Sequence, residues 1–192
     1  LPNTFPDSGV QPQYNTVDGT LWYFEAWRAY INASHDIVAL REIYPSLREI
    51  VDWHVRGTRH GIRLDPGDGL LHAGEPGIQM TWMDAKLGDW VITPRHGKPV
   101  EINALWFNTL MCMAEFSRML GKEAKIFETL AAQTRAGFSR FLKPDGGLYD
   151  VLDGPPGDDT SVRPNQILAL SLLHSPLARH LPARLVTELR QH

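Results

Sequence analysis

TWMDAKLGDWVITPRHGKPVEIN, residues 81–103, separates the middle of this chain from both of its flanks. Trp82, Asp84, Lys86, Asp89, Trp90, Arg95, His96, Lys98, Glu101 and Asn103 fall within it, with Pro94 and Pro99 between them. No rule for building a core calls for that mixture. Indoles offer flat apolar faces to sugar rings, carboxylates and fixed cations pair with hydroxyls, and a carboxyl can protonate a glycosidic oxygen. Helical signals on both sides place the stretch on a long connection, and loops held by a rigid scaffold are where catalytic residues collect.

Working outward, residues 101–120 are apolar nearly all round, from Ile102 through Trp106 and Phe107 to Phe116, and Gly121 supplies a stop. This pattern predicts a shielded helix, and its Met and aromatic stripe is core. Residues 122–142 are amphipathic, with Ile126, Phe127, Leu130, Phe138 and Phe141 on one side. Upstream, Asp18 stands at an N-cap position before a mostly apolar helix over 19–32. Ser34 caps a short helix to about 43, and Pro45 starts another over 45–58. Two extended pieces, 62–64 and 70–73, flank the turn DPGDG and predict a small hairpin. Downstream, 148–152 reads as extended, Pro164 opens a mostly apolar helix to 173, and 182–192 is amphipathic.

Shielded helices (19–32, 101–120, 164–173) thus alternate with surface helices (45–58, 122–142, 182–192). The expected fold is all-α: two layers of paired helices, as in part of an (α/α)6 six-hairpin toroid, with about three hairpins present. Loops ahead of the shielded helices, at 14–18, 81–100 and 154–166, would then gather at one mouth.

Composition narrows the function. A net charge of −3 with no basic run excludes a sequence-independent nucleic-acid surface. The chain contains no apolar run of about 18 residues, so no membrane span is expected. The single cysteine, Cys112, lies in an apolar run and reads as a small buried hydrophobe. His60, His72 and His96 show no metal-ligand spacing, so neither metal nor cofactor is expected. A cytoplasmic location is the default. The opening LPNTFPDSG reads as a loop already under way, and His192 falls inside a helical pattern. Residues 1–192 are therefore expected to be one partial domain of a longer chain, self-associating through uncovered helix faces if it stands alone.

Three blocks carry a family resemblance. TWMDAKLGDWVITPRHGKPVEINALW at 81–106 resembles the glucosidase domain of glycogen debranching enzymes and their bacterial relatives. YNTVDGTLWYF at 14–24 and LYDVLDGPPGDDTSVRPNQILALSLLHSPL at 148–177 resemble further blocks of that domain, in the same order. The pairing of T-W-M-D with P-V-E-I-N-A-L is also similar, more distantly, to motifs of trehalases and related inverting α-glucosidases.

The resemblance implies inverting hydrolysis of α-1,6-glucosidic branch points of glycogen or limit dextrin, releasing glucose, with Asp84 as general acid. The family's general base is a Glu downstream of any block present, so the chain is expected to lack it. Substrate contacts are expected from Asn15, Asp18, Trp22, Trp82, Lys86, Trp90, Arg95, Lys98, Glu101, Asn103, Asp159, Arg163, Asn165 and Gln166. Trp82 and Trp90 would stack on sugar rings, while Lys86, Arg95 and Lys98 would donate to hydroxyls. Each has a plainer alternative. Asp18 fits an N-cap, Glu101 at a helix start favours the dipole, and Asp159 with Arg163 fits a loop-locking ion pair. A silent carbohydrate-binding or scaffold module, or a trehalase-like α-glucosidase, would account for the same residues.

Overall fold

The computed structural model describes residues 1–144 and 146–177. The helix expected over 182–192 lies outside them. Helices are the main regular structure of the described residues, with small antiparallel sheets between them. The helices are α1 (Asp18–Ser34), α2 (Ile37–Arg56), α3 (Val100–Met119), α4 (Lys125–Phe138) and α5 (Leu168–Ser171).

α3 is the axis. Every residue from Val100 to Leu110 is buried, and α1, α2, α4 and α5 all pack on it. Fully burying a side chain such as Phe107 or Leu110 contributes about 1.5–3 kcal/mol, so this helix dominates the core. Its polar residues are tied down. Ser117 bonds the Tyr44 hydroxyl at 2.8 Å, and Asn108 donates to Glu25 at 2.9 Å. The helix ends as expected, with Gly121 in the left-handed region at φ +66°.

α2 corrects the expectation of two helices broken at Pro45. It runs unbroken across the proline, and Asp36 rather than Ser34 caps it, accepting from the Ala39 N–H at 2.9 Å. Proline costs about 3 kcal/mol inside a helix. Here it sits on the exposed side, while Leu40, Tyr44, Leu47, Val51 and His54 keep a continuous buried stripe on the other. Burial of that stripe outweighs the lost bond. α1 also departs from expectation. Val17 is its N-cap, and Asp18, its first residue, bonds Thr16 and the Gly19 N–H instead. Its apolar residues are not shielded all round, since Trp22, Ala26 and Tyr30 are exposed. Past Pro164 the chain forms a 3-10 turn, Pro164–Ile167, and then only the single helical turn of α5.

The hairpin β1 (Arg63–Leu64) with β2 (Leu71–His72) forms where the DPGDG turn places it. Its turn packs against α4 so closely that a Cβ on Gly137 would lie 2.0 Å from the Asp68 carbonyl oxygen. The stretch 81–100 is not a plain loop. It holds the hairpin β3 (Lys86–Leu87) with β4 (Trp90–Val91), and then β5 (Lys98–Pro99). β5 pairs with β6 (Val151–Gly154), which pairs with β7 (Gly157–Asp159). That three-stranded sheet brings 95–101 beside 150–163. Gly97, at φ +134°, lets the backbones meet, since a Cβ there would stand 2.6 Å from the Leu152 carbonyl oxygen.

Candidate functional site

Arg95 is the centre of the structure beside this sheet. It is buried, and so are Glu101 and Asp150, the carboxylates that flank it. Its Nη2 donates to Glu101 Oε2 at 2.6 Å and Nη1 donates to Oε1, a fork-to-carboxylate ion pair. Its Nε donates to Asp150 Oδ2 at 2.8 Å, and Nη2 to Oδ1 at 3.0 Å. Burial by itself would lower the pKa of the guanidinium, but Glu101 and Asp150 together outweigh it and hold it above the ordinary arginine range. Burial pushes the Glu101 carboxyl up, against the pull of Arg95.

Asp150 passes the network outward. Arg163 Nη1 donates to Asp150 Oδ2 and to Asp159 Oδ2, both at 2.6 Å. Burial works to raise the Asp159 carboxyl, yet its bonds from Ser161 and Arg163 hold it below the usual range. Asn165 Nδ2 donates to Asp150 Oδ1 at 2.7 Å, and Asn165 Oδ1 accepts from the Trp82 indole N–H at 2.9 Å. A buried ionic centre therefore fixes the edge of an indole that is itself 56% exposed. The same amide donates to Met83 Sδ at 3.4 Å. Beside this network lies a cavity of about 700 Å³, walled by Gln79, Pro94, Arg95, His96, Pro155, Pro156, Asp159 and Arg163 among others.

The other expected site residues are placed as follows. Asp84 is exposed and does not wall this cavity. Lys86 and Trp90 lie on the β3–β4 hairpin. Lys86 donates to the Gly77 carbonyl at 2.7 Å, and Trp90 is 64% exposed. Lys98 is buried at the base of a separate cluster whose carboxylates reach toward solvent, its Nζ 2.8 Å from both Asp65 and Asp68 and 2.7 Å from Asp153. Arg140 pairs with Asp68 and Asp153 in the same cluster. Asn103 is fully buried and ties β2 to α3, accepting from Leu71 N–H at 2.7 Å and donating to the Leu71 and Pro99 carbonyls. Gln166 accepts from the Leu148 N–H at 3.2 Å. Asn15 accepts from Asn3, Asp18 from Thr16, and Trp22 is exposed on α1.

Trp82, Arg95, Glu101, Asp159, Arg163 and Asn165 are thus brought together; Asp84, Lys86 and Trp90 stand on the exposed segment next to them. Segment 14–18 reaches the edge of that segment through the Val17 N–H, which donates to the Met80 carbonyl at 2.9 Å, but it does not wall the cavity. The member sequence reasoning missed is Asp150, which accepts from Arg95, Arg163 and Asn165. Its only signal was its place in the block beginning LYD. Among the described residues no group of His, Cys, Asp and Glu is arranged to hold a metal ion, and no helix is long and apolar enough to cross a membrane.

The fold and the site describe a domain built on helices that holds an ionic network beside a cavity and exposes the indoles of Trp82 and Trp90 on the segment that precedes Arg95 in the chain. The sequence matches the amylo-alpha-1,6-glucosidase family over residues 1–192, the whole chain, and the protein belongs to that family. Membership makes this a glycosidase-type domain with a carbohydrate as its class of substrate. No curated protein and no solved structure matches the chain.

Proposed function

We propose that the protein is part of an α/α-toroid glucosidase domain of the debranching type, hydrolysing α-1,6-glucosidic branch points of glycogen or limit dextrin with inversion. Family membership supports this reading. The observation that carries it is the Trp82–Met83–Asp84 segment, where an indole anchored by Asn165 leads into an exposed carboxylate.

In this reading Asp84 is the general acid, donating its proton to the glycosidic oxygen as the bond to the anomeric carbon breaks. A carboxyl holds a proton near neutral pH only when desolvated or set beside negative charge. A sugar ring stacked on Trp82 or Trp90 would supply that cover. Inversion needs a second, ionised carboxylate roughly 6.5–9.5 Å away to take a proton from the attacking water. Glu101 and Asp150 are both committed to Arg95, so they orient the site and the base comes from elsewhere in the full-length protein. Arg163 and Asp159, which wall the cavity, are the groups for sugar hydroxyls, while Asn165 is buried and holds the Trp82 indole. The protein is proposed to act in the cytoplasm and to self-associate through uncovered helix faces, such as the exposed apolar residues of α1; a monomer mass in light scattering at every concentration would exclude the association.

Asp84→Asn in the full-length protein should abolish glucose release from limit dextrin, by at least about a hundredfold, the range expected for a lost acid catalyst. Retained release would remove Asp84 from this role. Glycogen binding without turnover by the unaltered protein would favour a carbohydrate-binding module, and turnover of a different α-glucoside a trehalase-like enzyme.

A further inference from the structure

Asp84 stands at the end of a run of held residues. The Met80 carbonyl accepts from the Val17 N–H at 2.9 Å, and the Thr81 hydroxyl accepts from Arg95 Nη1 at 3.4 Å. The Trp82 indole and the Met83 sulfur are both bonded to Asn165. The Asp84 carboxylate itself meets no partner among the described residues, and every residue from Asp84 to Trp90 is exposed. Beyond it, Lys86 ties the β3–β4 hairpin to the Gly77 carbonyl, but through a long exposed side chain. The place of Asp84 is therefore set from the upstream side.

Asn165 reaches both of the residues that precede Asp84. It is buried, and its amide has only one way round. An ionised carboxylate only accepts, so Asp150 takes the amide nitrogen, at 2.7 Å; an indole N–H only donates, so Trp82 takes the amide oxygen, at 2.9 Å. Asp150 is fixed in its turn by Arg95 and Arg163. Side chains of similar shape cannot make both bonds. Aspartate would set a second carboxylate against Asp150, and leucine would bond neither neighbour.

We propose that Asn165 is a positioning residue for the general acid: by holding Trp82 and Met83 it aims Asp84 at the glycosidic oxygen, without touching the substrate itself. This role presupposes Asp84 as the acid, as proposed above. Proton transfer to the leaving oxygen needs the carboxyl within hydrogen-bond reach, and a displacement of about 1 Å can cost about a hundredfold in rate. A carboxylate with no partner of its own, at the start of an exposed hairpin, keeps its place only through its neighbours in the chain.

Steady-state kinetics of the full-length protein on two substrates, limit dextrin and α-glucosyl fluoride, test the proposal. In the second, the carbon–fluorine bond breaks with its electron pair leaving on fluoride, which needs no proton, while water adds at the anomeric carbon as before. Asp84→Asn sets the scale: release from limit dextrin collapses while the fluoride is still turned over. Asn165→Ala should lower kcat on limit dextrin by about ten- to a hundredfold, with a far smaller loss on the fluoride. Trp82→Phe, an exposed position where the ring stays and only the indole N–H is lost, should show the same split more weakly, and it serves should Asn165→Ala not fold. A structural defect alone would lower turnover of both substrates together. Full kcat on limit dextrin in both variants, or equal losses on the two substrates, would overturn the positioning role and leave Asp84 in place. Limit dextrin turned over normally by Asp84→Asn would overturn the acid, and this role with it.

Discussion

Arg95 and Lys98 stand three residues apart, each a buried cation set among carboxylates, yet the structure uses them in opposite ways. Lys98 is enclosed by Asp65, Asp68 and Asp153, which come from the β1–β2 turn and from β6. Those contacts pin a hairpin to a sheet. Arg95 holds Glu101 and Asp150, and Asp150 hands the contact on to Arg163 and Asn165, and so to an exposed indole. One cluster closes on itself, while the other is anchored in the core at one end and reaches solvent at the other. A cation's identity and burial do not say which role it plays; the destination of its partners' remaining lone pairs does.

The comparison breaks most readily at Asp150. Asp150→Ala leaves Arg95 with half its partners and frees Arg163 and Asn165, and loss of one partner from a buried pair typically costs about 3–5 kcal/mol. Urea unfolding should register a loss of that size; a loss under about 1 kcal/mol would show that the Arg95 centre is not structural.

Lys98→Met should cost less, about 1–3 kcal/mol, because Asp65 and Asp153 are 43% and 40% exposed and water can replace the ammonium. It should also change the response to acid. The hydrogen bond from Arg140, with Lys98 adding to it, holds the Asp153 carboxyl down to about 2, against the effect of burial. A depressed carboxylate contributes stability above its unfolded value of about 3.9 that is lost as pH falls through the folded value. Stability of the unaltered protein should therefore fall between about pH 4 and pH 2, and Lys98→Met should flatten that fall. An unchanged acid profile in the variant would assign the effect to other groups.

The smallest expected effect on stability sharpens the comparison most. Asn165→Ala removes the link between Asp150 and Trp82 at a cost of about 1 kcal/mol. The Trp82 indole N–H signal should lose its protection from solvent exchange in NMR. Retained protection would mean that the network does not hold that ring.

The legible parts of the chain were those where local pattern and tertiary need agree. Residues 101–120 are so uniformly apolar that no other element could take them, and the helix runs over Val100–Met119. The DPGDG hairpin needed only its turn chemistry. Pro45 misled because a proline's cost is local and certain, while the burial that outweighs it depends on helices far along the chain. α1 misled for the converse reason. Its apolar run reads as shielded, but Trp22, Ala26 and Tyr30 are left exposed among the described residues. At the site, Arg95, Glu101, Asp159, Arg163 and Asn165 were readable as a polar population, but their pairing was not. Asp150 was passed over because it sits alone between apolar residues, and its partners lie 13, 15 and 55 positions away.

By itself, then, the sequence determined the helices at the start of the chain and across 101–142, the small hairpin, the family and the set of side chains gathered about 81–103 and 148–166. These follow from periodicity, turn chemistry and motif, all of which act over short stretches of chain. Only the tertiary structure decided that Lys98 closes on itself while Arg95 supports an exposed indole, because the value of a charge depends on what surrounds it once water has been excluded. That exclusion is a property of the packed molecule.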